Sequence, residues 1–470
     1  MITLDPRQET GQPLYWQIYE QFRRDITSGA LPAREKLPSK RALAASLGVS
    51  VTTVDAAYAQ LACEGFIESS PKRGFYVCAL GILKARPPQR EVRQATAQTA
   101  VALQVDFSAG AVDPQAFPYN TWRKLLKNAF NEYDAQLLHR TPPQGDPALR
   151  SAIANYLYKA RGVHCTQEQV IIGAGTDHLL LVLGFILGNS FSIAMENPVY
   201  SQAYQIFSRM GYPMLPVDID MAGIPVDPLQ DRENIAVYVT PSHQFPLGIS
   251  MPISRRIQLL HWAEAGQARY IIEDDYDSEF RYTTRPLPSL QSIDSRDRVI
   301  YLGTFTKSIA PSLRISFLVL PPSLLDQYHT AYGMFGSPVS RLEQRVLCAF
   351  LEEGYFERHV NKMRVVYRNK RYFLEKCLRV AFGDILDIQG ENAGHHLLVA
   401  PHNGMDEATL CTAAKSHGVG VYPISSYFIG KMPPCYQGRV LLGYGGLSEE
   451  QIQLGVHLLR KAWATASSSE

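Results

Sequence analysis

Near the start of the chain, apolar positions recur at helical spacing and then switch to alternation. Leu14, Ile18, Phe22 and Ile26 share one helical face that runs out near Ser28-Gly29, which predicts an amphipathic helix closed by glycine. Pro38-Ser39 reads as the cap of a second helix, from Lys40 to Ser46 and stopped by Gly48. Ser50 caps a third, from Val51 to about Cys63. A short helix, a turn containing glycine and another helix have helix-turn-helix spacing. Beyond Glu64-Gly65, the alternating stretch from Phe66 to Val77 predicts a hairpin whose tip carries Lys72, Arg73 and Gly74. Helices followed by such a hairpin make a winged helix, an α+β unit expected over residues 1–78.

From residue 79 to 104 the chain is polar and aperiodic, with Pro87-Pro88, and is expected to be a linker. Beyond it, from 105 to 470, short apolar stretches alternate with helix-length segments: Val170-Ile171-Ile172, Phe191 to Met195, Ile235 to Val239, Tyr270 to Glu273 and Val299 to Leu302. That order predicts an α/β domain with a mainly parallel sheet. After Pro321-Pro322 a long helical region leads to a smaller mixed part at about 382–470.

Composition narrows this picture without changing it. At 470 residues the chain exceeds the usual limit of one core, and 46% hydrophobic with 19% charged residues is ordinary for a globular protein. The apolar stretch Leu179 to Leu187 is too short to span a bilayer, and Met1 to Asp5 lacks the pattern of a secretory signal, so no membrane association and a cytoplasmic location are expected. The seven cysteines include no CxxC pair, so neither a disulfide framework nor a metal site is expected. The net charge of +2 conceals a basic first unit containing Arg23, Arg24, Arg34, Lys36, Lys40, Arg41, Lys72 and Arg73, which suits a polyanion.

Each strand of the second domain is followed by polar residues, where ligands sit in open α/β sheets. Gly173-Ala174-Gly175-Thr176 is a glycine turn opening an apolar helix, and its N–H groups can cradle a phosphate. Tyr200 follows the second strand, His243 and Gln244 the third, and Asp274 to Asp277 the fourth. Thr304, Thr306 and Lys307 follow the last, with Arg314 shortly after. An aldehyde cofactor needs an amine for a Schiff base, a phosphate anchor and a carboxylate paired with its ring nitrogen. Lys307 supplies the amine. Gly175, Thr176, Thr304, Thr306 and Arg314 supply the anchor, and Asp274 the carboxylate. Tyr276 is expected to bond the ring hydroxyl and Tyr200 to pack on the ring face.

These residues make the chain similar to the fold-type I aminotransferases, which bind pyridoxal 5'-phosphate (PLP). Together with Leu37-Pro38-Ser39-Lys40-Arg41 and the motifs from Pro241 to Pro246, Ile272 to Phe280 and Gly303 to Ser308, they make the whole chain resemble the MocR class of GntR-superfamily transcription regulators. Within that class it resembles the GABA-responsive and vitamin B6-responsive regulators. The resemblance implies an aminotransferase-like domain behind a winged helix, a DNA operator as partner, and a head-to-tail, domain-swapped homodimer. In a winged helix the third helix enters the major groove. Ser50, Thr52, Thr53 and Tyr58 are therefore expected to face DNA, with Ser39, Lys40 and Arg41 at phosphates and Lys72 and Arg73 in the wing. Many such proteins carry Arg where this chain has Val51, which removes one direct reader of guanine.

The resemblance breaks at the substrate-binding arginines. Aminotransferases hold a substrate carboxylate with an arginine near the end of the chain, and the GABA regulator adds one after the stacking tyrosine. Here those stretches read Leu441-Leu442-Gly443-Tyr444 and Tyr200-Ser201-Gln202. Loss of a bidentate carboxylate pair weakens simple amino acids as ligands. His243 and Gln244 are the candidates for neutral contacts to an effector. Three readings follow: a regulator sensing PLP or an amine other than a simple amino acid, a regulator sensing GABA or a relative with its carboxylate held elsewhere, and a working aminotransferase with an appended DNA-binding unit.

Overall fold

The structure, a computed structural model, describes residues 12–80, 103–131, 135–282, 287–390 and 393–464. The chain forms two compact units, Met1–Gln98 and Thr99–Glu470. Most of the expected linker, residues 81–102, lies outside the described residues.

The first unit contains α1 (Leu14–Ser28), α2 (Lys40–Leu47), α3 (Val51–Cys63) and the hairpin β1 (Ile67–Ser70) and β2 (Gly74–Val77). The caps fall where the side-chain chemistry places them. Ser39 Oγ accepts from Ala42 N, Ser50 Oγ accepts from Thr53 N, and Gly29 and Gly48 close their helices in the left-handed region. Ile18, Phe22, Val54, Leu61, Ile67 and Val77 are buried together in one small core. Tyr58 belongs to that core and not to the DNA-facing surface expected of it. Its ring is fully buried edge-on to Phe22 and Phe75, and its hydroxyl donates to Pro38 O at 3.0 Å. A phenol whose single proton is taken by a backbone carbonyl has no route to a base edge.

The second unit opens with β3 (Val105–Asp106) and is centred on a seven-stranded sheet. Its strands are β4 (Val170–Gly173), β5 (Ser192–Asn197), β6 (Met214–Asp218), β7 (Ile235–Val239), β8 (Arg269–Asp275), β9 (Val299–Thr304) and β10 (Ser316–Val319), in spatial order β4-β10-β9-β8-β7-β5-β6. All neighbours are parallel except β10, which runs antiparallel to β4 and β9. Two strands go beyond the sequence expectation. Strand β6 contains Pro216 and lies at the sheet edge, where a missing N–H costs no ladder bond. Strand β10 returns antiparallel directly from β9, so it needs no crossover helix to announce it.

Helices cover both faces of the sheet. Side chains of α6 (Thr176–Leu187) and α7 (Ser201–Arg209) pack with Ile171, Tyr238, Ile272 and Leu302 on one face. On the other, α5 (Pro147–Arg161) packs with Val170, Ile172, Tyr301 and Phe317, and α8 (Ile253–Glu264) with Val237 and Ile271. The smaller sheet, β11 (Leu386–Gln389), β12 (His396–Pro401), β14 (Tyr422–Pro423) and β15 (Val440–Gly443), has the order β11-β12-β15-β14. Its core extends beyond the expected 382–470, because Val105 and Phe107 are buried in it and β3 pairs in parallel with β13 (Val419–Gly420). Such a distant partner leaves no trace in local periodicity.

Among the described residues, no helix is long and apolar enough to cross a membrane and no group of side chains has the makings of a metal site. All seven cysteines are free thiols.

Candidate functional site

The carboxylates after Ile272 are sorted by strand geometry. Successive side chains on β8 point to opposite faces, so Glu273 and Asp275 go one way and Asp274 the other. Glu273 accepts from the backbone N–H groups of Leu290 and Gln291 at 2.7 and 2.9 Å. Asp275 takes a buried two-pronged bond from Arg161 at 2.7 and 3.1 Å, and hydrogen bonds from Tyr301 and from Ser278 at 2.8 Å. These two acids brace the strand end. Asp274 faces a cavity of about 380 Å³ at the edge where the parallel strands terminate.

That cavity gathers the residues anticipated from separate motifs. Lys307, Asp274, Tyr276 and Tyr200 line it, as do Thr176, Thr304, Thr306 and Arg314. Gly175 lies immediately behind. Its φ of +89° is in the left-handed region, and a Cβ added there would sit 2.6 Å from the Arg314 guanidinium carbon. Arg314 itself has a φ of 50°, rare for a residue with a side chain, and bonds Asp177 at 3.1 Å. Thr304 Oγ1 accepts from Thr306 N at 3.1 Å and from Ser316 Oγ at 2.7 Å, which fixes the loop preceding Lys307. Glycine, arginine, hydroxyls and the first turn of α6 thus stand together in an arrangement suited to an anion. Gly175→Ala is expected to push Arg314 out of it and weaken cofactor binding by roughly tenfold or more, measured by absorbance titration.

Lys307 reaches the cavity from the loop after β9, and its Nζ donates to Ala109 O at 3.0 Å. Burial lowers its pKa, against the opposing pull of Asp277, and so favours the neutral amine needed for addition to a carbonyl. Asp274 shifts the other way, since burial raises it from 3.8 to about 7, despite a hydrogen bond from Tyr238 that favours the ionised form. A raised acid pKa means that the folded chain holds this proton more tightly than the unfolded chain. Its stabilising contribution is therefore full below 3.8 and lost as pH rises to about 7. In the cofactor-free protein, Asp274→Asn is expected to gain Tm relative to the wild type as pH rises through that window, because it removes this one loss. Glu196, Glu273 and Glu279, each pushed up to about 7, act in the same direction as Asp274, and His395 and His396, held down by burial, act against it.

Two expected effector contacts lie elsewhere. His243 and Gln244 are buried and absent from the cavity wall. Gln244 spends its amide on the carbonyls of Pro198 and Phe245 and accepts from Leu247 N, which closes its own turn. His243 Nδ1 lies 2.8 Å from Asp277 Oδ2 and 2.9 Å from Tyr276 OH, so it supports a lining residue from behind. Conversely, Ala109, Thr240, Phe245, Tyr422 and Tyr427 line the cavity, and Tyr238 holds Asp274. Sequence reasoning missed all six. Tyr238 and Thr240, polar groups at the end of an apolar strand, and Phe245, next to Gln244 in the loop after it, carried a usable signal; the others come from remote segments.

On the first unit, Ser50, Thr52, Arg41, Lys72 and Arg73 are exposed and Thr53 is half-exposed. Ser50 Oγ lies 2.7 Å from both threonine hydroxyls, which fixes them together at the start of α3. Lys72, with a φ of 59°, and Gly74, at 110°, shape the wing tip. Ser39 is exposed while capping α2, and Lys40 is engaged by Asp55 and sits 4.9 Å from the centre of the Phe75 ring, which ties α2 to α3 and to the hairpin.

Comparison with known proteins agrees with both halves. Residues 14–77 match the family of bacterial regulatory proteins called gntR, and residues 104–456 match aminotransferase class I and II. The chain is 41% identical to YdeL, an uncharacterised HTH-type transcriptional regulator of Bacillus subtilis, over 96% of this chain and 97% of that protein. It is 34% identical to MocR, a probable rhizopine catabolism regulatory protein of Rhizobium meliloti, over 100% of this chain and 97% of MocR. The chain belongs to the MocR class of the gntR family. Its second domain superposes on the multiple substrate aminotransferase of Thermococcus profundus with a TM-score of 0.69 and 26% identity, covering 78% of this chain and 92% of that one.

As a MocR-class protein it is a DNA-binding transcription regulator with an aminotransferase-like domain, and its cofactor is PLP. The residues present fit that cofactor on grounds of their own. The position that a Cβ would fill at Gly175 is left open beside a guanidinium, and a buried carboxyl and an amine of lowered pKa line the same cavity.

Proposed function

We propose that this regulator reports the level of an amine, or of PLP itself, through Lys307, acting as a head-to-tail, domain-swapped homodimer on paired operator half-sites. The observation that carries the reading is the convergence of Lys307, Asp274, Tyr276, Tyr200, Thr176, Thr304, Thr306 and Arg314 on one cavity. Bound there, PLP supplies an aldehyde that condenses with amines and a pyridine ring that withdraws electrons.

The chain's own groups do the holding and the switching. Arg314, Thr306 and the first turn of α6 would take the phosphate charge, and Asp274 would accept a hydrogen bond from the protonated ring nitrogen. Tyr200 would pack on the ring, and Tyr276, backed by His243 and Asp277, would donate to the ring hydroxyl. Lys307 would hold the cofactor at its aldehyde carbon through the Nζ that here donates to Ala109 O at 3.0 Å. An effector alters transcription only if it binds two arrangements of the dimer with different affinity.

Turnover is the weaker reading. Among the described residues the cationic side chains on the cavity wall are Lys307 and Arg314, and with both given to the cofactor none of the described residues is left as a dedicated partner for a substrate carboxylate. The test is to titrate purified protein with PLP and then with amines while following absorbance and retention of a promoter fragment together. Spectral change accompanied by altered retention supports sensing. Multiple turnovers of amine and keto acid, with DNA binding unmoved, would replace this reading by the aminotransferase.

A further inference from the structure

We infer that the effector taken by this cavity is a primary amine with an apolar, uncharged tail and no carboxylate, an inference that rests on the sensing role proposed for Lys307. Charge in the cavity provides the first argument. With Arg314 at the phosphate cup and Lys307 at the carbonyl, the remaining ionisable acids of the wall are Asp274 and Asp177. Asp274 faces the ring nitrogen, and Asp177 bonds Arg314. Among the described residues of the wall, a ligand carboxylate would meet spare charge that is negative and would shed water without a cation to replace it.

The shape of the remaining wall gives the second argument. Phe245 lies at the centre of an aromatic group, with ring centroids 4.9 Å from Tyr427, 6.0 Å from Tyr276 and 6.4 Å from Tyr200. Behind it, Leu247, Leu398, Ile424 and Leu441 form a fully enclosed apolar cluster against which Phe245, Tyr422 and Tyr427 pack. Leu441 stands in the stretch where aminotransferases carry their carboxylate-binding arginine, and it is completely buried in that cluster. The arginine has therefore not been lost to an empty space that a ligand charge could hydrate. An apolar layer backs the wall at that point.

Polar groups near the aromatic wall are neutral, and several are already engaged. Tyr422 OH donates to Asp106 at 2.7 Å, and Tyr200 OH donates to Gln202. What is left for a ligand tail is ring surface, with Ser108 and Ser201 at its margin. Burying a few methylenes or an aromatic ring there is favourable at about 0.8 kcal/mol per methylene, whereas a carboxylate gains nothing comparable.

Matched pairs that differ only in the carboxylate test this directly: phenethylamine against phenylalanine, and butylamine against γ-aminobutyrate, each titrated into the PLP-loaded full chain. The decarboxylated member of each pair is expected to perturb the cofactor absorbance at concentrations at least about tenfold lower. Ser201→Arg, and independently Gln202→Arg, place a cation on the cavity wall without entering the apolar cluster. In whichever variant keeps the Lys307-dependent band, the preference should narrow or reverse. Equal or tighter response to the carboxylate-bearing member in the wild type overturns the inference. So does a protein in which no amine moves the band while DNA retention still follows PLP concentration, and in that case the sensing role of Lys307 stands. A wild type that never shows a Lys307-dependent band overturns the sensing role itself.

Discussion

Lys307→Ala is expected to abolish the near-ultraviolet and visible absorbance that PLP acquires on reacting with the protein, leaving only the spectrum of cofactor held non-covalently. The effect should be all-or-none, because Lys307 is the amine positioned on the cavity wall and, among the described residues, no other lysine lines it. Folding should survive. The Nζ makes one hydrogen bond, to Ala109 O at 3.0 Å, and burial already disfavours its charge, so removing it relieves a desolvated amine and sacrifices little. Residual cofactor binding through Arg314, Thr306 and Asp274 should remain detectable by equilibrium dialysis. A variant that retains the full band would move the reactive amine elsewhere and dismantle the proposed site.

The second large effect belongs to the other unit. Replacing Thr53 and Arg73 together by alanine is expected to lower affinity for a promoter fragment by about two orders of magnitude or more, since each lost contact to base or phosphate is worth ~1–3 kcal/mol. The Arg73 component should shrink as salt rises, because a phosphate contact acts through released counterions. The Thr53 component should persist, being a hydroxyl held in place by Ser50 at 2.7 Å. Absorbance of the cofactor should be unchanged in the double variant. If the band shifted as well, the DNA-reading and cofactor roles could not be assigned to separate sets of residues. Neither replacement touches the core of its unit: Arg73 is exposed at the wing tip and Thr53 half-exposed at the start of α3. The ordinary stability of the unit should therefore be preserved.

The aminotransferase-like cavity gathers an amine, a buried carboxyl and an anion-binding set suited to PLP, yet among its described residues no cation is left for an amino-acid carboxylate. The loop carrying His243 and Gln244 is closed upon itself and supports Tyr276 through the His243 and Asp277 pair. The proposed sensing role suits such a site, because a sensor must respond to occupancy and gains nothing from rapid release of product.

What the sequence determined was local. Caps at Ser39 and Ser50, glycine stops at Gly29 and Gly48, and an alternating hairpin specify their elements through bonds within a few residues, so the winged helix was legible almost to its boundaries. The cofactor constellation was legible for a related reason. In an open α/β sheet the segments that follow parallel strands emerge at one edge, so Gly175, Tyr200, Asp274 and Lys307 could be expected to meet although they are far apart in the chain. Tertiary structure alone decided the rest. Strand alternation allowed either Asp274 or its neighbours to face the cavity, and the packing of Arg161 against Asp275 settled the choice. Tyr58 carries a polar tip that could have served DNA, but Phe22 and Phe75 enclose its ring and Pro38 takes its proton. His243 and Gln244 lie in the right loop, yet backbone carbonyls and Asp277 claim their hydrogen bonds. Ala109, Tyr422 and Tyr427 reach the site because β3 pairs with β13 and the smaller sheet folds beside the larger one. Each of these outcomes depends on which remote partner satisfies a side chain first, and that competition has no signature in any short stretch of sequence.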